Sequence, residues 1–254
     1  MKETVFIPSF GNRPRNLVGR EDILSQVKEN LTSAVGSKER SILLLGQRGY
    51  GKTVLLLEIA EIAKSCNYVV ASPSVVTSEL LNRIIEKIEE DSKNIIKNED
   101  KHISGGSVGF LGFSAEVQFS DKSSSKSFGY RIRHIARALS QEKRGLLILI
   151  DEIQGNSKEL KELIVSYQEM IGEGLNVALV MAGLPSAISS VLNDKVLTFL
   201  NRSTKIEVGP IKMADIVSYY SSTFEKINIS INSNLLIKIS EKTYGSPYML
   251  QLLG

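Results

Sequence analysis

The sequence predicts an α/β fold in which a parallel sheet of five strands is covered by helices on both faces. Short apolar runs typical of buried strands alternate with longer segments of helical periodicity up to about residue 208. From Gly209-Pro210 onward the patterns are helical only, at about 212–227, 233–243 and 246 to the end. We therefore expect a core over residues 17–208 and a small all-helical lid over 209–254.

The individual elements follow from the same two periodicities. Residues 1–16 contain Pro8, Gly11 and Pro14, which predicts an irregular N-terminal arm. Strands are predicted at 41–45, 67–72, 146–150, 176–181 and 204–208, the second of them ending at Pro73. Core helices are predicted at 23–35, directly after residue 53, and at 77–98, 128–142, 156–171 and 184–192.

Residues 99–126 interrupt this alternation. A glycine turn near 104–107 precedes a partly alternating run in which Ala115, Val117 and Phe119 face one way. This pattern predicts a β-hairpin insertion, with the hairpin at 104–120. Two interpretations are open: an exposed hairpin without a partner, or a contact element for a partner protein or DNA.

Composition limits the class of protein. The 254 residues are 42% hydrophobic and 23% charged, with a formal net charge of +3. This small positive excess suits a phosphate-bearing ligand and permits nucleic acid without indicating it. The single cysteine, Cys66, excludes an internal disulfide and suits a reducing compartment. The beginning of the chain lacks a signal-peptide pattern, and no apolar run has the length of a membrane span. We expect a cytoplasmic protein that makes no membrane contact.

A glycine-rich loop between the first strand and the following helix carries the main chemical prediction. Its residues Gly46, Gln47, Arg48, Gly49, Tyr50, Gly51, Lys52 and Thr53 fit the pattern G-x-x-x-x-G-K-[ST], and Val54 continues into the helix. The glycines allow successive amides to point at one phosphate, and the helix N-terminus adds partial positive charge. Lys52 is predicted to contact the β- and γ-phosphates, and the hydroxyl of Thr53 to ligate Mg²⁺. We call these eight residues the P-loop.

Two adjacent acids follow the third strand. Asp151 and Glu152 come directly after the apolar run 146–150, at the end of a parallel strand where ligand groups gather. Asp151 is predicted to hold Mg²⁺, and Glu152 to orient and deprotonate a water that attacks the γ-phosphate.

Other polar residues are weaker candidates. Arg202 precedes the fifth strand and could stabilise transition-state charge on a nucleotide bound by a neighbouring subunit, although a structural or solvated arginine fits equally well. Lys205 and Gln154 are further candidates. The outward face of the helix at 128–142 carries Arg131, Arg133, His134 and Arg137, which is typical of a solvated face and less often of a nucleic-acid contact.

Together these motifs resemble the AAA+ ATPases. The similarity is to the branch that holds origin-recognition-type initiators, transposition-helper ATPases and archaeal-type regulatory ATPases, with STAND signalling NTPases as neighbours. Leu17–Glu21 is similar to the VGRE box, Ile150–Gln154 to a DE-x-Q form of Walker B, and Gly245–Pro247 to the GxP signature of the lid.

The resemblance implies a P-loop NTPase sheet of order 5-1-4-3-2. It also implies that Val18, Gly19 and Arg20 close over the adenine and that Pro247 packs near it. The tip of the fourth strand, Ala182-Gly183, departs from the family because the polar residue of the first sensor is missing, and Ser186 is the nearest hydroxyl. No arginine follows Arg202, so a lid arginine is absent from this sequence. Relatives commonly continue into a winged-helix domain, so we expect either a natural lid-terminated form or a truncated chain.

The sequence therefore predicts an ATPase that binds ATP or ADP with Mg²⁺ and uses slow hydrolysis as a conformational or assembly switch. Expected partners are the nucleotide and either further copies of the chain or another protein. Two alternatives stay open. One is an ATP-dependent DNA-binding initiator or transposition helper, and the other is a STAND-like signalling or defence NTPase.

Overall fold

The computed structural model describes residues 5, 6, 8, 17–99, 127–155 and 157–254. Five strands form one sheet: β1 (Ser41–Leu45), β2 (Tyr68–Val75), β3 (Gly145–Ile153), β4 (Val177–Gly183) and β5 (Thr204–Glu207). Their spatial order is β2-β3-β4-β1-β5, and every neighbouring pair is parallel. From the opposite edge this is the predicted order 5-1-4-3-2, which is confirmed.

The helices of the described ranges connect and follow these strands. They are α1 (Glu21–Thr32), α2 (Lys52–Ser65), α3 (Leu80–Glu99), α4 (Phe128–Gln141), α5 (Lys158–Gly172), α6 (Pro185–Leu192), α7 (Met213–Lys226), α8 (Ser233–Lys242) and α9 (Pro247–Leu253). Short 3₁₀ turns at Lys38–Arg40 and Thr198–Arg202 precede β1 and β5. No helix in the described ranges has both the length and the apolar character that a bilayer crossing requires.

Alternating residues of the strands bury two separate hydrophobic cores, one on each face of the sheet. In β1, Ile42 and Leu44 pack with α1 and α2, whereas Leu43 packs with α3, α4, α5 and α6. Because successive side chains of a strand point to opposite faces, an uninterrupted apolar run is required wherever both faces are covered. The sheet is therefore held rigidly, and its carboxyl edge is a fixed platform for the loops that follow each strand.

The last three helices, α7 to α9, surround a third hydrophobic cluster, and we call them the lid. Tyr220 is fully buried there, and its hydroxyl donates to Leu250 O at 2.7 Å. Phe6 of the N-terminal arm packs onto the same cluster, with ring centroids 5.6 Å from Phe224 and 5.8 Å from Tyr220. The arm is thus joined to the lid at this point.

Two predicted boundaries were wrong. The second strand does not end at Pro73 but continues to Val75, with a register shift between Ala71 and Ser74. β2 lies at the edge of the sheet, where a residue without an N–H is tolerated at a bulge. The third strand likewise continues to Ile153 and includes both acids, with a register shift between Ile150 and Ile153.

The predicted hairpin at 104–120 and most of the arm lie outside the described residues.

Candidate nucleotide site

The P-loop lies at the carboxyl edge of the sheet, between β1 and α2. Gly46 N donates to Gly183 O of β4 at 3.3 Å, and a Cβ on Gly46 would lie 2.4 Å from Val208 O. The backbone of β5 therefore leaves no room for a side chain at Gly46. Gly49 and Gly51 have φ angles of +84° and +82°, which glycine adopts readily and other residues rarely do.

The N-terminus of α2 is open to an anion. Gly51 precedes the helix in a left-handed conformation, no side chain caps the first turn, and no acidic residue lies in it. The first amides of a helix have no partners within the helix and carry partial positive charge. Such an end is suited to a phosphate group.

Lys52 lies along the inside of the loop. Its Nζ donates to Gly46 O at 2.7 Å and to Gln47 O at 2.9 Å. Burial lowers the pKa of Lys52, while the charges of Asp151 and Glu152 act in the opposite direction. Both acids are thus close enough to act on this ammonium group, which can exchange weak carbonyl contacts for contacts with phosphate oxygens.

Thr53 and Asp151 meet directly. The Thr53 hydroxyl donates to Asp151 Oδ2 at 2.6 Å, and Asp151 is only 5% exposed. The other carboxylate oxygen, Oδ1, accepts from Glu152 N at 2.8 Å. A hydroxyl and a carboxylate are oxygen ligands of the kind that Mg²⁺ uses beside nucleotide phosphates. The donor set therefore fits the predicted magnesium site.

Glu152 has an unusual backbone. Its φ angle is +50°, and it lies in the bulge of β3 as an exposed residue between two buried ones. A positive φ is uncommon for a residue other than glycine, and strain of this kind often occurs at functional sites. The bulge therefore exposes the glutamate next to the buried aspartate.

The three residues of the VGRE box contact the lid and the loop. Val18 packs against the hydrophobic cluster of the lid. Gly19 has a φ angle of +64°, and a Cβ there would lie 2.7 Å from Asp215 Oδ2. Arg20 is 7% exposed, and its Nη2 donates to Tyr50 O at 3.2 Å and to Gly209 O at 2.5 Å.

The GxP motif joins the lid to the P-loop. Gly245 has a φ angle of +71°, and a Cβ there would lie 2.5 Å from Pro210 Cβ. Pro247 begins α9 next to the loop, since a Cβ on Gly51 would lie 3.4 Å from Pro247 Cγ. The predicted proline is therefore at the rim of the nucleotide site.

Several predicted residues have no printed contact with this site. Arg202 is exposed at the end of a 3₁₀ turn and has no hydrogen bond or ion pair with any residue that the structure describes. Gln154, Lys205 and Ser186 are also exposed. Within the loop itself, Gln47 and Arg48 are exposed, and Val54 is half-buried in the first turn of α2.

Three residues around the site were missed by sequence reasoning. Gly183 ends β4 against the bulge of β3, where a Cβ would lie 3.2 Å from both Cβ and O of Ile153. The strand tip was recognisable, but a polar residue was sought there rather than a need for close packing. Gly209 and Asp215 matter through their proximity to Arg20 and Gly19, and no local sequence pattern indicates those contacts.

The basic face of α4 is largely paired with acids. Arg133 forms an ion pair with Glu169 of α5, and Arg137 contacts Glu173 at 2.8 Å. Arg131 approaches Glu89 of α3 at 4.0 Å. Much of the positive charge that suggested nucleic acid is therefore compensated within the molecule.

Comparison with known proteins adds a family and a fold. Residues 16–180 match the family model described as "AAA ATPase domain". No curated protein matches the chain.

Solved structures of similar fold include three with TM-scores above 0.5. The Walker-type ATPase of Pyrococcus abyssi has a TM-score of 0.62 at 18% identity, covering 94% of this chain and 67% of that one. Cdc6p of Pyrobaculum aerophilum has 0.60 at 16%, covering 98% and 64%. The replication initiator DnaA, bound to AMPPCP and single-stranded DNA, has 0.55 at 16%, covering 96% and 65%. The chain thus spans about two thirds of the length of these structures.

Proposed function

This chain belongs to the AAA ATPase family, and we propose that it is an ATP-binding module that hydrolyses ATP slowly with Mg²⁺, as a conformational or assembly switch. The observation that carries this proposal is the 2.6 Å hydrogen bond from Thr53 Oγ1 to Asp151 Oδ2. It joins the helix that follows the P-loop to the acidic end of β3. In the proposal, residues 17–208 are the nucleotide-binding core and residues 209–254 the lid.

Each site residue has one role in the proposed reaction. The P-loop amides and Lys52 bind the phosphates, and Thr53 with Asp151 holds Mg²⁺. The metal would neutralise charge on the β- and γ-phosphates. Glu152 orients a water and accepts its proton. The exposure of Glu152 and its influence on the pKa of Lys52 support this role, because both place its charge near the loop.

Arg202 is proposed to act on the nucleotide of a neighbouring copy. Its exposure at the end of the 3₁₀ turn before β5, without a contact to any described residue, is compatible with a partner outside the chain. An arginine supplied from a neighbour stabilises transition-state charge and makes the rate depend on assembly.

Two variants test the proposal. Lys52→Ala should weaken ATP binding by about tenfold to a hundredfold, since hydrogen bonds to charged groups contribute roughly 1.5–3 kcal/mol. Glu152→Gln should keep wild-type ATP affinity and lower turnover by about 10²–10⁴, the usual contribution of a general base. Binding is measured by calorimetry with Mg-ATP and turnover by phosphate release. Unchanged binding in the first variant would remove the phosphate cradle, and unchanged turnover in the second would remove Glu152 from the reaction.

A DNA-binding initiator is the second candidate function. It is favoured by the fold shared with a DnaA structure that contains single-stranded DNA. The pairing of Arg133 and Arg137 with glutamates argues against α4 as the contact surface. A mobility-shift titration with and without ATP across a salt series tests it, because phosphate contacts weaken steeply as salt rises. No shift at low salt would exclude DNA binding by this chain.

A STAND-like switch is favoured by the position of Pro247 against Gly51 at the rim of the site. A lid in that position could hold nucleotide in a monomer until a stimulus arrives. Tightly bound nucleotide in purified monomer would support this function, whereas ring formation on addition of ATP would oppose it.

A further inference from the structure

Arg20 is a buried arginine that connects two separate parts of the backbone. It lies at the start of α1 with 7% of its surface exposed. One nitrogen, Nη2, donates both to Tyr50 O inside the P-loop and to Gly209 O at the junction between β5 and the lid. The loop and the junction are thus held by a single side-chain atom.

The charge of Arg20 is directed at these carbonyls. No carboxylate of the described residues forms an ion pair with it. Burial lowers the pKa of Arg20, and the charges of Asp215 and Glu21 oppose this effect from a longer range. A buried cation is costly unless its hydrogen bonds are made, so both carbonyls are strongly held in place.

The contact with Tyr50 has a consequence for the next residue. The carbonyl of Tyr50 and the N–H of Gly51 belong to one planar peptide group, in which they point in opposite directions. No cis peptide bond occurs in the described ranges. Holding the Tyr50 carbonyl outward therefore turns the Gly51 N–H inward, which is the orientation that a phosphate-binding loop needs.

We propose that Arg20 is a positioning residue that fixes the Gly51 amide for phosphate binding and couples the P-loop to the lid junction, rather than a residue that contacts the adenine. The proposal rests on the proposed function in one respect, namely that the P-loop binds phosphates. It predicts that Arg20 matters even for a ligand that has no base and no sugar.

The experiment compares Mg-ATP with inorganic tripolyphosphate in the presence of Mg²⁺. Affinities are measured by calorimetry for the wild type, Arg20→Ala, Arg20→Lys and the control Arg83→Ala. Arg83 contacts only Glu79 on the exposed side of α3, so the control removes an arginine charge remote from the loop. Arg20→Ala should weaken both ligands by the same factor, about tenfold, the effect of losing one charged hydrogen bond. Arg20→Lys should lie between, because an ammonium keeps the charge without the reach of the guanidinium fork.

A second measurement separates this role from general support of the fold. Hydrogen exchange of the nucleotide-free protein should show protection lost in Arg20→Ala at residues 46–52 and 209–213, with α5 and the centre of the sheet unchanged. Loss of protection throughout the molecule would indicate a structural role only. If Arg20→Ala does not fold, Arg20→Lys provides the same two measurements.

The outcomes are distinct. Weaker binding of Mg-ATP with unchanged tripolyphosphate binding would assign Arg20 to the adenine and overturn the proposal. Equal affinities in all four proteins would also overturn it. Failure of the wild type to bind either ligand would instead contradict the proposed function.

Discussion

At the scale of single residues, the candidate site depends on backbone conformations that few residue types allow. Glu152 adopts a φ angle of +50° beside the buried carboxylate of Asp151, and the bulge of β3 gives these neighbours opposite exposures. Gly46 and Gly183 permit close contacts between the tips of adjacent strands. The chemistry of the site therefore relies as much on small residues around it as on its charged ones.

Gly46 provides a direct test of this dependence. A methyl group there would meet the backbone carbonyl of Val208, which cannot move away as a flexible side chain could. Gly46→Ala should lower the free energy of unfolding by about 1–3 kcal/mol, the usual cost of overpacking, and should weaken ATP binding as well. Chemical denaturation and calorimetry measure the two effects.

Gly172 is the matched control for that substitution. It lies in the last turn of α5 with no atom within 4 Å of its Cβ position and no positive φ angle. Gly172→Ala should leave ATP binding unchanged and raise the free energy of unfolding by up to about 1 kcal/mol through helix propensity. A similar loss of stability in both variants would mean that the contact with Val208 is not what requires glycine at position 46.

At the scale of elements, the ends of helices and strands matter more than their interiors. α2 begins without a side-chain cap, whereas the side chain of Ser127 caps α4 and that of Ser157 caps α5. Capping satisfies the first amides of a helix, so the uncapped start of α2 leaves its amides for a ligand. α9 begins with Pro247 at the same site, so one short helix brings the lid to the nucleotide.

The pairing of α4 with α5 shows the opposite use of surface charge. Arg133 and Arg137 form contacts with Glu169 and Glu173, all four side chains being at least partly exposed. Ion pairs of this kind contribute little to stability, typically below about 1 kcal/mol. Their main effect is to reduce the positive potential of a surface that the sequence presents as a basic helix face.

At the scale of the whole molecule, the proposed reaction uses groups from two copies of the chain. Glu152 would act within the copy that binds ATP, and Arg202 would act on the neighbouring copy. A single variant of either residue should therefore be nearly inactive by itself, and the rate of the wild type should rise with protein concentration.

Mixing two inactive variants tests that arrangement. Glu152→Gln keeps Arg202, and Arg202→Ala keeps Glu152, so a mixed assembly contains complete sites at some interfaces. We expect phosphate release to recover to roughly a quarter of the wild-type rate in an equal mixture. This fraction follows from random pairing, and it assumes the arginine contribution known for phosphoryl transfer. Activity no higher than the sum of the separate variants would show that Arg202 does not act between copies.

Much of the architecture could be predicted from the sequence, because it depends on local patterns. The apolar runs gave five strands, the motifs gave the AAA+ family, and the strand order implied by that resemblance is confirmed. The residues of the P-loop and the two acids were identified because their spacing follows directly from strand, loop and helix. Element ends were less predictable, as Pro73 and the extension of β3 to Ile153 show, since bulges depend on neighbouring strands.

By itself, the sequence determined which groups this protein carries for phosphate chemistry and the order in which strands and helices present them. Only the tertiary structure decided which of those groups meet. It joins Thr53 to Asp151, directs Arg20 to the carbonyls of Tyr50 and Gly209, and compensates the charges of α4. The reason is physical: periodicity and motif spacing are local properties of the chain, whereas these contacts link residues 30 to 189 positions apart, or lie between helices that pack only after the sheet has formed.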